Sequence, residues 1–111
     1  MDIERELLKG NTPTLVLAIL QEGPKHGYGI AREIKRLTGE ALQFKQGTLY
    51  PALHALERDG LIWGKWEIGS GDRPRRVYAI TEAGRTELEL RKKTWTRFSF
   101  AMNAVIAGSA R

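Results

Sequence analysis

Between residues 45 and 58 the chain sets Lys45, Gln46, Thr48, Tyr50, His54 and Arg58 among leucines at 49, 53 and 56. The leucines recur at helical spacing and form one stripe, so Thr48, Tyr50, Pro51, His54 and Arg58 fall on the opposite face. That face suits a polyanion. Thr48 and Tyr50 offer hydroxyls to phosphates or base edges, and His54, one turn beyond Tyr50, can donate to a base edge. Lys45 and Gln46 stand at the helix N-terminus, where unpaired backbone N–H groups and the helix dipole already favour a phosphate. A second cluster, Arg73, Arg75 and Arg76, lies in and just after the turn Gly69-Ser-Gly-Asp-Arg-Pro74. Arg73 and Arg75 are placed for the backbone or minor groove of a duplex, with Lys65 assisting from the facing strand. The bland alternative for this cluster is a solvated turn. Strand alternation sends Arg76 to the side opposite Arg75, where a salt bridge is as open as a nucleic-acid contact.

The elements that must carry these groups are legible in the same way. Thr12-Pro13 reads as an N-cap and first-turn proline opening a nearly all-apolar helix, Thr14 to Leu20, stopped by Gly23-Pro24. A helix apolar all round is buried. The stretch from Ile3 to Lys9 either extends this helix or packs separately. Ile30, Ile34 and Leu37 predict a shorter second helix from Gly27 to Leu37 with Gly39 as its C-cap. Tyr28, at its start, is expected to close the core. Gly27-Tyr28-Gly29 lacks the further glycines and the Lys-Ser/Thr of a phosphate loop. The third helix starts near Gln46 and ends at Gly60. Leu61–Ile68 and Arg75–Ile80 carry the aromatic and β-branched residues of a two-stranded hairpin, in which Trp63 and Trp66 pack and Trp66 stays partly exposed. Thr81 caps a last helix from Glu82 to about Ala107, about 39 Å long at about 1.5 Å per residue.

The 111 residues fit one small unit with a single core, alone or completed by a partner. The net charge of +5 and pI near 9.8 favour polyanionic partners, and the basic excess begins only after residue 30. There is no cysteine and there are two histidines, so neither disulfides nor a metal centre is expected, and no cofactor. No Ser, His and Asp set or acid pair has motif support, so no enzyme is expected. The acidic N-terminus and the short apolar runs fit neither a signal peptide nor a membrane span, which reads as a cytoplasmic protein. In the last helix Leu88, Trp95, Phe98, Met102 and Val105 follow a seam spacing broken at Arg91, which predicts a dimer. Trp95 is open to two uses there, seam packing or stacking against a flat ligand.

Three helices followed by a hairpin define a winged helix-turn-helix, mainly α with a small β-hairpin, in which the third helix enters the major groove. Residues 1–80 would be the DNA-binding unit and 81–111 the dimerisation helix. The chain resembles the PadR family of bacterial transcriptional regulators, in its short subfamily. The resemblance runs through Leu7-Leu-Lys-Gly10, Glu22-Gly-Pro-Lys-His-Gly-Tyr-Gly-Ile30, Gln46-Gly-Thr-Leu-Tyr-Pro-Ala-Leu-His54, Leu56-Glu-Arg-Asp-Gly-Leu-Ile62 and Arg73-Pro-Arg-Arg-Val-Tyr78, with Thr81 and Gly84. Gly47-Thr-Leu-Tyr-Pro51 is its most specific element. Asn11-Thr-Pro13 departs from the Thr-Leu-Asp more usual there. The resemblance implies a homodimeric repressor on a palindromic operator, often released by a small aromatic or toxic compound, with a tryptophan at the position of Trp95 stacking on drugs in some relatives. The rival expectation is a winged-helix module that binds protein rather than specific DNA.

Overall fold

The computed structural model describes residues 5–68 and 73–108. The order is α1 (Arg5–Leu20), β1 (Lys25–His26), α2 (Gly27–Leu37), α3 (Gln46–Arg58), β2 (Ile62–Ile68), β3 (Pro74–Ile80) and α4 (Glu82–Ala107). Three helices and a small antiparallel sheet form the body of a winged helix, and α4 leaves it as a long arm. Helices α2, α3 and α4 lie where the hydrophobic spacing and capping residues put them. At the start of α4 the Thr81 hydroxyl accepts from the Gly84 N–H at 3.0 Å, and Gly39 follows α2 at φ 58°.

Two features differ from the sequence expectation. First, α1 begins at Arg5, so Thr12 is not an N-cap but a buried residue inside the helix. Pro13 deletes one backbone donor and disfavours helix at the residue before it. Side chains hold that turn instead: the Thr12 hydroxyl donates to the Leu8 carbonyl and the Asn11 amide to the Leu7 carbonyl, both at 2.8 Å. Second, the sheet has three strands in the order β1-β3-β2 rather than two. Lys25 and His26 pair with Tyr78 and Val77, and this short edge turns straight into α2.

The core joins Val16, Leu17 and Leu20 of α1 to Ile30 and Ile34 of α2, the Leu49, Leu53, Leu56 stripe of α3, and Ile62, Tyr78 and Leu88. Burial of the α1 and α3 stripes turns the polar face of α3 outward. Tyr28 is not part of this core. It is 72 % exposed, with the Arg32 guanidinium 5.7 Å from its ring, because the core face of α2 is already filled by Ile30 and Ile34.

The α4 helix is fixed to the body at Gly84, where a Cβ would overlap the Leu61 carbonyl oxygen and come within 2.7 Å of Ile80 Cγ1. Gly84→Ala is therefore expected to cost about 1–3 kcal/mol or more, since the obstacle is backbone that cannot swing aside. A denaturant titration of the variant against the parent chain checks this, and an unchanged midpoint would refute it.

Candidate nucleic-acid interface

Helix α3 presents Lys45, Gly47, Pro51, His54 and Arg58 to solvent, while Thr48 and Tyr50 are half-buried. Lys45 is the N-cap residue but supplies no capping side-chain bond, so nothing from its own side chain covers the first N–H groups of α3. The Gln46 side chain, predicted to sit beside it, lies outside the described residues. Tyr50 does not stand free on the outer face as the helical spacing predicts. Its ring leans on the start of α2, with its hydroxyl 3.2 Å from where a Cβ on Gly27 would lie, and packs against the core. The tyrosine thus closes the α2–α3 corner with its ring and hydroxyl and is half-buried there.

On the wing, Lys65 stands opposite Val77 and Glu67 opposite Arg75. Pleating places Lys65, Glu67, Arg75 and Val77 on one face of the sheet and Trp66, Arg76 and Tyr78 on the other. His26 joins the first set, its Nε2 4.0 Å from Glu67 Oε1. Lys65, Arg73 and Arg75 are exposed. The tip that joins the strands, Gly69-Ser-Gly-Asp72, lies outside the described residues. Arg76 takes the salt-bridge alternative: its Nη2 meets Glu57 Oε2 of α3 at 2.5 Å. Beneath it Tyr78 is buried, and burial raises the phenol above its ordinary value, opposed by the nearby Arg76 charge.

The cations divide by pairing. Arg36, Arg58, Arg76, Arg91 and Lys92 each have a carboxylate within 4.0 Å. Among the described residues no ion pair engages Lys45, Lys65, Arg73 or Arg75. Among the other cations with no ion pair among the described residues, sequence reasoning did not single out Arg5 and Lys9. Arg5 and Lys9, one helical turn apart, line an open groove shared with Lys45, Thr48 and Pro51. Their spacing is a signal, but it carries meaning only once α1 is known to start before Pro13.

The predicted seam on α4 is open to solvent except at Leu88, which is buried in the core of the body because the first turns of α4 pack there. Trp95, Phe98, Met102 and Val105 are exposed, as are Leu90, Phe100 and Ile106, which the seam spacing does not include. The Trp95 and Phe98 rings lie 6.1 Å apart, tilted by 44°. Arg91 breaks the stripe by pairing with Glu87 at 2.7 Å along the same helix. The structure brings the α3 and wing residues to the body and sets the α4 group apart on the arm.

A helix face aimed outward beside an exposed basic wing is the arrangement of a winged-helix transcriptional regulator. The family model of the transcriptional regulator PadR-like family matches residues 16–90. The chain belongs to that family, whose members are regulators rather than enzymes. It is 36 % identical over 84 residues to transcriptional regulator Rv3488 of Mycobacterium tuberculosis, covering 76 % of this chain and 75 % of the relative. A transcriptional regulator from Clostridium thermocellum has a similar structure, with TM-score 0.82, 29 % identity and coverage of 91 % and 95 % of the two chains. Bacillus subtilis PadR, solved in complex with operator DNA, is similar at TM-score 0.63 and 27 % identity, covering 69 % of this chain and 44 % of that one.

Replacing Tyr50 by Phe keeps the ring that packs on Gly27 and removes the hydroxyl. The chain should stay folded by circular dichroism and lose about tenfold in affinity for its DNA site, the size of one hydrogen bond to a charged group. Unchanged affinity would remove Tyr50 from the interface.

Proposed function

We propose that this protein is a homodimeric repressor that binds a palindromic operator in double-stranded DNA in the cytoplasm. The carrying observation is the outward face of α3, flanked by cations that have no acidic partner among the described residues. In this reading Thr48, Tyr50 and His54 face the major groove, Lys45 and Gln46 hold a phosphate at the α3 N-terminus, and Lys65, Arg73 and Arg75 meet the backbone beside the wing. Likeness to Bacillus subtilis PadR, whose structure holds operator DNA, supports it.

Dimerisation is assigned to the α4 arm. Large exposed apolar groups grouped on one helix are the usual mark of an interface, and Trp95, Phe98, Met102 and Val105 are all at least 44 % exposed. Pairing of two such arms would hold two copies of α3 in successive major grooves about 34 Å apart. A flat aromatic effector stacking at Trp95 would shift the arms and with them that distance, which makes residues 81–111 the regulatory part and residues 1–80 the reading part.

Selection of bound DNA from a random pool is expected to return a two-fold symmetric sequence, and its affinity should fall steeply with salt as several phosphates release counterions. A pool with no enriched sequence, or binding indifferent to salt, would favour the protein-interaction alternative. Truncation after Lys93 removes the arm's aromatic groups and should convert the dimer to a monomer by sedimentation. A truncated chain that stayed dimeric would move the interface elsewhere.

A further inference from the structure

Arg76 lies in the half-buried angle between the wing and the recognition helix, and its guanidinium meets groups from both. It pairs with Glu57 near the end of α3. It lies 5.4 Å from the Trp66 ring on the neighbouring strand and 5.9 Å from the ring of Tyr78. It also rests on the β2 backbone at Gly64, where a Cβ would fall 2.7 Å from Nε and 2.8 Å from Nη2. Gly64 is therefore the floor on which the guanidinium sits, and Trp66 stands beside it. Both carboxylate and guanidinium side chains are about 30 % exposed or less, so water screens the pair only in part.

We propose that the Glu57–Arg76 pair, seated on Gly64 beside Trp66, is a latch that fixes the wing against α3 and so sets where the wing's cations fall on DNA. It rests on the DNA-binding reading above. Glu57 and Arg76 are positioning residues and touch no nucleotide. The mechanical reason lies in the hairpin itself. A two-stranded ribbon is compliant and twists readily. Strand β1 pairs with β3 only at its middle, Val77 and Tyr78, and reaches further toward the tip only through His26, 4.0 Å from Glu67. Beyond that brace, toward Arg73 and Arg75, the ion pair described between wing and recognition helix is this one. Its planar fork holds a direction that a lysine cannot hold.

The latch is tested with the full chain on its selected DNA site, by fluorescence anisotropy over a range of salt, in the parent, Glu57→Gln and Gly64→Ala. The glutamine keeps the shape and removes the charge. The alanine keeps both charges and pushes the guanidinium, the free end of a flexible side chain, off its floor, so the fold tolerates it. Both variants should bind about tenfold more weakly, and the slope of log K against log salt should flatten by about 0.9 for each phosphate that the wing no longer reaches. Arg73→Ala should then cost less in either background than in the parent, because the wing has already left its phosphate. Variants that lower the melting temperature but leave the salt slope and the Arg73→Ala penalty unchanged would overturn the latch and leave DNA binding standing. A parent chain with no sequence preference for DNA would overturn the reading beneath it and the latch with it.

Discussion

The backbone junction between Gly60–Leu61 and Thr81–Gly84 constrains everything that follows from it. The Leu61 N–H closes the end of α3 on the Leu56 carbonyl at 2.9 Å, and the Leu61 carbonyl accepts from the Thr81 N–H at 3.1 Å. The Thr81 hydroxyl donates to the Gly60 carbonyl at 2.7 Å while accepting from the Gly84 N–H. One threonine therefore caps α4 and ties its start to the exit from α3. The absence of a side chain at Gly84 lets the two backbones approach. The end of α3, both inner ends of the wing and the root of the arm meet within these few residues.

Such a junction makes α4 a lever. Along the arm only Gly84 and Leu88 are buried, and the polar contacts between arm and body end with Arg85 and Lys92, both on Gln21. The apolar groups beyond them have no cover among the described residues. The arm is about 39 Å long at about 1.5 Å per residue, so a tilt of a few degrees at Thr81 displaces its far end by several ångströms. A dimer that clamps the far ends would convert a small change there into a rotation of α3. Because α4 joins α3 through capped backbone rather than a flexible linker, such a rotation would have a defined direction.

How much of this is legible in the sequence depends on whether a residue's partner is near it in the chain. The bounds of α2, α3 and α4 follow from local periodicity and caps, and Glu82–Ala107 lies where Thr81 and the seam spacing put it. The strand at Lys25–His26 has no pattern of its own, because two residues cannot show alternation and their pairing is decided by β3, about fifty residues away. Pro13 marks a helix start by the usual rule and loses to side-chain bonds from Asn11 and Thr12 that no spacing announces. Alternation correctly sends Arg76 to the face opposite Arg75, yet only the packing of α3 on the sheet puts Glu57 on that face. Helical spacing assigns Tyr50 to the outer surface because it holds no information about the bare Gly27 that receives the ring.

Net charge does not separate the arginines of this surface, and pairing does. Arg73, Arg75 and Arg76 carry the same charge, but a guanidinium whose fork already holds a carboxylate gains little from a phosphate. Arg76 holds Glu57, while Arg73 and Arg75 have no ion pair among the described residues. The same division separates Lys45, Arg5 and Lys9, which share one groove without a described acid partner, from Arg91, whose bond to Glu87 keeps a charge tolerable at the edge of an apolar stripe. Cations without a described ion pair also stand on α2 and α4, Arg32, Lys35, Arg85, Lys93 and Arg97 among them. A missing partner therefore points to a polyanion surface only together with the outward face of α3 and the exposed wing that carry Lys45, Lys65, Arg73 and Arg75.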